Sequence, residues 1–119
     1  LGFRPMDASR AVSEALAGVR IEHADFTETV RGARAGDAVY FDPPYVPVSA
    51  TARFAEYHFE PFTDAHHERL RDVFGELVAR GVAAVLSNSD TPRTRELFSR
   101  YSHEFVSARQ STRQVCVGA

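Results

Sequence analysis

The 119-residue chain contains no lysine, and its one cysteine is Cys116. A lone cysteine excludes a disulfide framework and any metal site built on thiolates. His23, His58 and His103 lack a metal-ligand spacing, so no metal is expected. No apolar run approaches the roughly 20 residues that cross a bilayer, and no membrane association is expected. No charged-then-apolar leader resembles a signal peptide, which makes the cytoplasm the expected compartment. In the absence of lysine, all 14 cationic side chains are arginines. A guanidinium at every basic position suits bidentate contacts to phosphate or guanine wherever a surface makes them. The formal net charge of −2 says little about nucleic acid, but its distribution is uneven. Residues 1–90 hold 9 Arg against 14 acids, whereas residues 91–119 hold 5 Arg against 2 acids.

What is present suits one small domain. Hydrophobic residues make up 44% of the chain and a quarter of it is charged, with no repeat or low-complexity tract. Apolar periodicity predicts a helix over 7–16 and a short one over 25–33 opened by Asp25. Alternation predicts a strand over 19–23, and "AVYF" at 38–41 reads as a buried strand. Residues 42–62 carry Pro43, Pro44, Pro47 and Pro61 and read as a loop. Thr63 or Asp64 is placed to cap a helix running to Ala79, with Leu70, Val73, Phe74, Leu77 and Val78 as its apolar stripe and Gly81 as its stop. In this reading His66 and His67 fall on its solvated face. "VAAVLS" at 82–87 is a buried strand, Asn88-Ser89-Asp90 a turn, and residues 91–100 a helix with Pro92 in its first turn. Strands over 103–109 and 113–118 form a hairpin. This order predicts an α/β domain with parallel early strands and helices on both faces.

The most informative stretch is "VYFDPPYVPVSAT", residues 39–51. In open parallel sheets, ligands bind beyond the carboxyl ends of the strands, which is where Asp42-Pro43-Pro44-Tyr45 falls. Two prolines fix two φ angles, restrict the residue before each, and offer carbonyls without N–H groups. The result is a rigid cluster of acceptors beside an aromatic plate. It suits a flat ring carrying two N–H donors, such as the amino group of adenine. That amine is a poor nucleophile because its lone pair is delocalised into the ring. Two acceptors gripping its hydrogens favour a pyramidal nitrogen able to attack an electrophilic methyl. Stacking on Tyr45 contributes about 1–3 kcal/mol, and a base inside a duplex must first be flipped out.

Asp-Pro-Pro-Tyr is the catalytic motif of amino-group DNA methyltransferases that use S-adenosylmethionine. Over roughly residues 11–110 the chain resembles the Dam-type DNA adenine N6-methyltransferases. The resemblance rests on the tetrapeptide, on the Pro-x-Ser-Ala-Thr that follows it, and on the Phe54…Tyr57 pair. It continues through Ser-Asn-x-Asp-Thr-Pro at 87–92 and a downstream Arg-Glu-Leu. It implies a Rossmann-like class I methyltransferase fold and site-specific transfer of a methyl group to adenine in DNA. It also implies that Asp42 and the Pro43 carbonyl accept from the target amine, with Pro44 completing the catalytic motif. Tyr45, Ser49 and Tyr57 would hold the substrate base, while Phe26 and Asp42 would lie against S-adenosylmethionine. Related tetrapeptides serve amine methyltransferases acting on cytosine, RNA or protein glutamine, and a non-catalytic remnant of a DNA methyltransferase is a further alternative.

The family also uses an aromatic-x-Gly-x-Gly loop for the cofactor, an acidic ribose-binding residue on the next strand, and a DNA-reading insertion. The 119 residues contain none of these. The expectation is therefore that residues 1–119 form the C-terminal part of a catalytic domain, inactive alone. Beside the motif, Asn88 and Asp90 read as a turn and cap. Arg93 and Arg95 read as phosphate contacts or as a solvated face.

Overall fold

The computed structural model describes residues 5–48, 62–107 and 112–118. Helix α1 (Pro5–Ala15) is followed by a single turn, α2 (Phe26–Thr29), and by strand β1 (Ala38–Phe41). Then come α3 (Asp64–Ala79), β2 (Ala83–Ser89), α4 (Pro92–Leu97), β3 (Ser102–Ser107) and β4 (Thr112–Gly118). The four strands form one sheet in the order β1-β2-β4-β3. β1 and β2 are parallel, and β4 runs antiparallel to both β2 and β3. The architecture is a small α/β fold with a short parallel pair, compatible with a methyltransferase fold.

The helix ends follow local chemistry. Thr63 caps α3 through a capping box in which the His66 N–H donates to Thr63 Oγ1 and the Thr63 N–H donates to His66 Nδ1. Gly81, with φ of +81°, supplies the left-handed residue that ends the helix. Thr91 caps α4 by accepting from the Thr94 N–H, and Pro92 sits in the first turn where its missing N–H costs nothing. β2 runs past the expected boundary at 87. Asn88 and Ser89 pair with Gln114 and Arg113 of β4, so ladder hydrogen bonds replace the turn expected there.

The core lies between α3 and one face of the sheet. Register sets Val39 beside Ala84 and Phe41 beside Leu86, which puts these four on one face. Phe74, Leu77, Val82, Ala84, Leu86 and Phe98 are fully buried. Phe74 meets three rings, with centroids 6.3 Å from Phe41, 5.8 Å from Phe98 and 4.7 Å from Tyr101. The end of β4 approaches this cluster so closely that a Cβ on Gly118 would lie 2.5 Å from Val78 Cγ2 and 2.8 Å from Phe74 Cε1. The opposite face carries exposed Ala38, Tyr40 and Ala83, so among the described residues helices cover one face rather than the expected two.

Two further expectations are corrected. The strand expected over 19–23 does not form. Residues 19–25 have no regular secondary structure and Ile21 is 76% exposed. A strand requires a neighbour for its N–H and C=O groups, and none lies alongside among the described residues. His67, expected on a solvated face, is buried and meets Phe62 edge-on at 4.7 Å. It stands three and seven residues before Leu70 and Phe74, on the same side of the helix.

Candidate active site

Asp42-Pro43-Pro44-Tyr45 follows β1 directly, at the carboxyl end of the parallel pair. A cleft of about 860 Å³ opens there, between α2 and the first turns of α3. Asp42, Pro43, Pro44 and Phe26 all line it, along with Phe62, His66 and Arg69. Tyr45 is half-buried and its hydroxyl reaches toward β2. Ser49 and Tyr57 lie outside the described residues.

Asp42 is held from the neighbouring strand. The Ser87 hydroxyl donates to Asp42 Oδ1 at 2.9 Å. Ser87 Oγ itself lies 3.2 Å from the Tyr45 hydroxyl, which donates to it, and 2.9 Å from the Tyr40 hydroxyl. One residue further on, Asn88 Oδ1 accepts from the Val46 N–H at 2.9 Å and from the Ser89 N–H at 2.8 Å. Asn88 is fully buried, and its Nδ2 has no hydrogen-bond partner among the described residues. The two prolines offer no N–H, so Val46 supplies one of the first backbone donors after the turn, and β2 catches it. Asn88 is thus a clamp on the motif rather than a turn residue.

The far wall of the cleft is built on Phe26. Asp25 caps α2, accepting from the Thr27 N–H at 2.9 Å and from the Thr27 hydroxyl at 2.6 Å. These bonds, the side-chain one first, hold the Asp25 carboxyl below its ordinary range, and the Arg69 guanidinium at 2.8 Å adds to the effect. Arg69 lies over the Phe26 ring, 4.8 Å from its centroid, and Phe62 tilts against the ring at 6.1 Å. Phe62 in turn stacks on His66 at 5.1 Å. The half-buried Phe26 is therefore fixed from two sides at the edge of an apolar cleft.

Arg93 and Arg95 are engaged elsewhere. Arg93 forks onto both carboxylate oxygens of Asp64 at 2.9 Å and also binds Glu68 and Glu96, joining α4 to the start of α3. These carboxylates raise its pKa further above the usual arginine range, the Asp64 bond being the largest cause. Arg95 pairs with Asp90 at 2.7 Å and lies over Phe105. Asp90 is thereby an ion-pair partner, and the helix cap is Thr91. Sequence reasoning missed Ser87, Arg69 and Phe62. The available signal was a Ser-Asn pair ending an apolar strand next to the motif strand.

Comparison with known proteins identifies the family. The family model described as D12 class N6 adenine-specific DNA methyltransferase matches residues 2–112. A Type II methyltransferase of Lactococcus lactis subsp. cremoris is 41% identical over 90 residues, covering 76% of this chain and 32% of that protein. The DNA adenine methylase of Escherichia coli is 44% identical over 81 residues, covering 66% of this chain and 29% of that protein. The DNA adenine methylase of Serratia marcescens is 36% identical over 94 residues, covering 78% and 35%. The chain thus spans about a third of the length of these curated relatives. With its motif at the end of β1, the chain belongs to the D12 class of adenine-specific DNA methyltransferases.

Proposed function

We propose that this chain carries the methyl-accepting half of a DNA adenine methyltransferase site, and that residues 1–119 act as the C-terminal part of a catalytic domain with the Rossmann-like class I fold. The observation that carries this is the position of Asp42. Its carboxylate stands at the rim of the cleft with Oδ1 held by Ser87. No described residue donates a hydrogen bond to Oδ2, which leaves it available to an N–H of a flipped adenine. The Pro43 carbonyl takes the second N–H, and Tyr45 supports the ring. Ser49 and Tyr57 are assigned to the same base by family resemblance.

The cleft also fits S-adenosylmethionine. Its volume of about 860 Å³, with a fixed, half-buried Phe26 ring on one wall, suits a nucleoside stacked edgewise or face-on. Phe26 and Asp42 would hold the cofactor, which when bound supplies an electrophilic methyl on a sulfonium. The contribution of this chain is then geometric and electrostatic. Asp42 Oδ2 and the Pro43 carbonyl would grip the amine hydrogens, pyramidalise the nitrogen and stabilise the positive charge that grows on it as its lone pair takes the methyl, the sulfonium sulfur keeping the electrons of the broken S–C bond and one amine proton then leaving to solvent. DNA is the substrate, bound with the target base out of the stack. No helix among the described residues is long and apolar enough to cross a membrane. A DNA substrate supports the cytoplasm as its location.

Nucleoside analysis of DNA methylated by the intact enzyme tests this reading. Methylation confined to the exocyclic amine of adenine supports it. Methylated cytosine, or acceptance of methyl by RNA or a glutamine peptide in place of DNA, refutes it.

A further inference from the structure

We propose that Ser87 is a positioning residue that sets the orientation of the Asp42 carboxylate and couples it to Tyr45; the proposal rests on the role assigned to Asp42 above. A serine hydroxyl has one proton and two lone pairs. At this site all three are used by side chains of the motif or its strand. The proton goes to Asp42 Oδ1 at 2.9 Å, and the Tyr45 hydroxyl donates at 3.2 Å. The second lone pair faces the Tyr40 hydroxyl at 2.9 Å, and because the serine proton is committed, Tyr40 must donate as well. The assignment is closed. No other arrangement of three hydroxyl protons satisfies the same four oxygens without leaving the carboxylate contact unmade.

Three consequences follow. The hub is rigid, because Ser87 sits within β2 and is 6% exposed. Asp42 itself is exposed and follows the end of β1, so without the hub its carboxylate would turn freely about its terminal torsion. With Oδ1 committed, only Oδ2 is presented to a substrate amine. Tyr45 and Asp42, which must act on the same base, are referenced to one oxygen, so an error in one is shared by the other. Asn88, the next residue of β2, pins the Val46 N–H and prevents the segment after Tyr45 from lifting away.

The intact enzyme bearing Ser87→Ala and Ser87→Thr provides the test. Single-turnover methyl transfer to an adenine-containing duplex is measured beside equilibrium binding of S-adenosylmethionine and of the duplex, thermal midpoints, and spectra of 13Cζ-labelled tyrosine. Ser87→Ala should slow transfer on the order of 10²-fold, the cost of a misplaced reacting group, with both binding constants and the midpoint nearly unchanged. Ser87→Thr, which keeps a hydroxyl, should recover most of the rate. The Tyr40 and Tyr45 resonances should shift in the alanine variant and return in the threonine variant. Parental transfer by Ser87→Ala while Asp42→Ala is inactive overturns the positioning role and leaves the Asp42 reading standing. Parental transfer by both variants overturns both. Equal losses in the alanine and threonine variants, accompanied by a lower midpoint, reduce Ser87 to a structural residue and overturn the proposal.

Discussion

Residues 6–25 and residues 62–98 differ far more in packing than in composition. Both contain amphipathic helices and apolar side chains at regular spacing. In the second stretch Leu70, Phe74, Leu77, Val82, Leu86 and Phe98 are all 1% exposed or less. In the first, every residue is exposed, with Val12 at 58% and Ile21 at 76%. An apolar stripe is only half of a core, because the energy of burial comes from the surface that meets it. α3 faces the sheet, while α1 faces no described element. The Asp-Pro-Pro-Tyr segment is tied to the second kind of region. Its turn is anchored to β2 by Ser87 and Asn88, the end of the strand that runs beneath α3.

The sharpest way to break this contrast is to empty the packed side. Phe74→Ala removes a ring that meets three others and should cost about 3–5 kcal/mol, read from urea unfolding. A loss below 1 kcal/mol would mean that the two regions differ less than their exposures imply. Next, Gly118→Ala should overpack the same cluster, since its Cβ would meet Val78 and Phe74 at 2.5 and 2.8 Å. A loss of about 1–3 kcal/mol is expected, and a neutral result would place slack where the packing shows none.

A smaller effect concerns acid. Asp64, Asp90 and Asp25 all have carboxyl groups held below their ordinary 3.8, chiefly by Arg93, Arg95 and Thr27 respectively. The unfolded chain takes up these protons first. The stabilisation is therefore complete above about pH 4 and is lost as pH falls through the lower folded values. These groups are solvent-exposed, so the effect is modest. Thermal midpoints between roughly pH 5 and pH 2.5 should fall less steeply in an Asp64→Asn, Asp90→Asn variant than in the parent. The smallest effect belongs to the exposed side: Ile21→Ser should change stability by no more than about 0.5 kcal/mol. A loss comparable to that of Phe74→Ala would show that residues 19–25 pack against something.

What could be read from the sequence was whatever depends on neighbours along the chain. The irregular Pro-Pro segment, the Thr63 cap and the Gly81 stop are local, and they stand where sequence places them, whereas the cap of α4 falls on Thr91 and not on Asp90. The strand at 19–23 failed because alternation records a preference for a ladder and not the presence of one. His67 was misread by charge when its spacing to Leu70 and Phe74 marked it as core. The ion pairs of Arg93 could not be read from sequence, because its partners Asp64 and Glu68 lie 29 and 25 residues away, invisible to any local pattern. Ser87 was hidden for the same reason. Its hydroxyl matters only because parallel pairing brings the end of β2 beside the end of β1.

The central claim is that the Asp42 carboxylate grips the target amine in the transition state. Single-turnover methyl transfer by the intact enzyme carrying Asp42→Ala, with duplex affinity measured on the same preparation, tests it most directly. The contact is charge-assisted and strengthens as the nitrogen becomes positive. Transfer should therefore fall about 10²–10³-fold, while DNA binding, supplied mainly by phosphate contacts elsewhere, should stay near the parental value. Transfer at the parental rate would contradict the account.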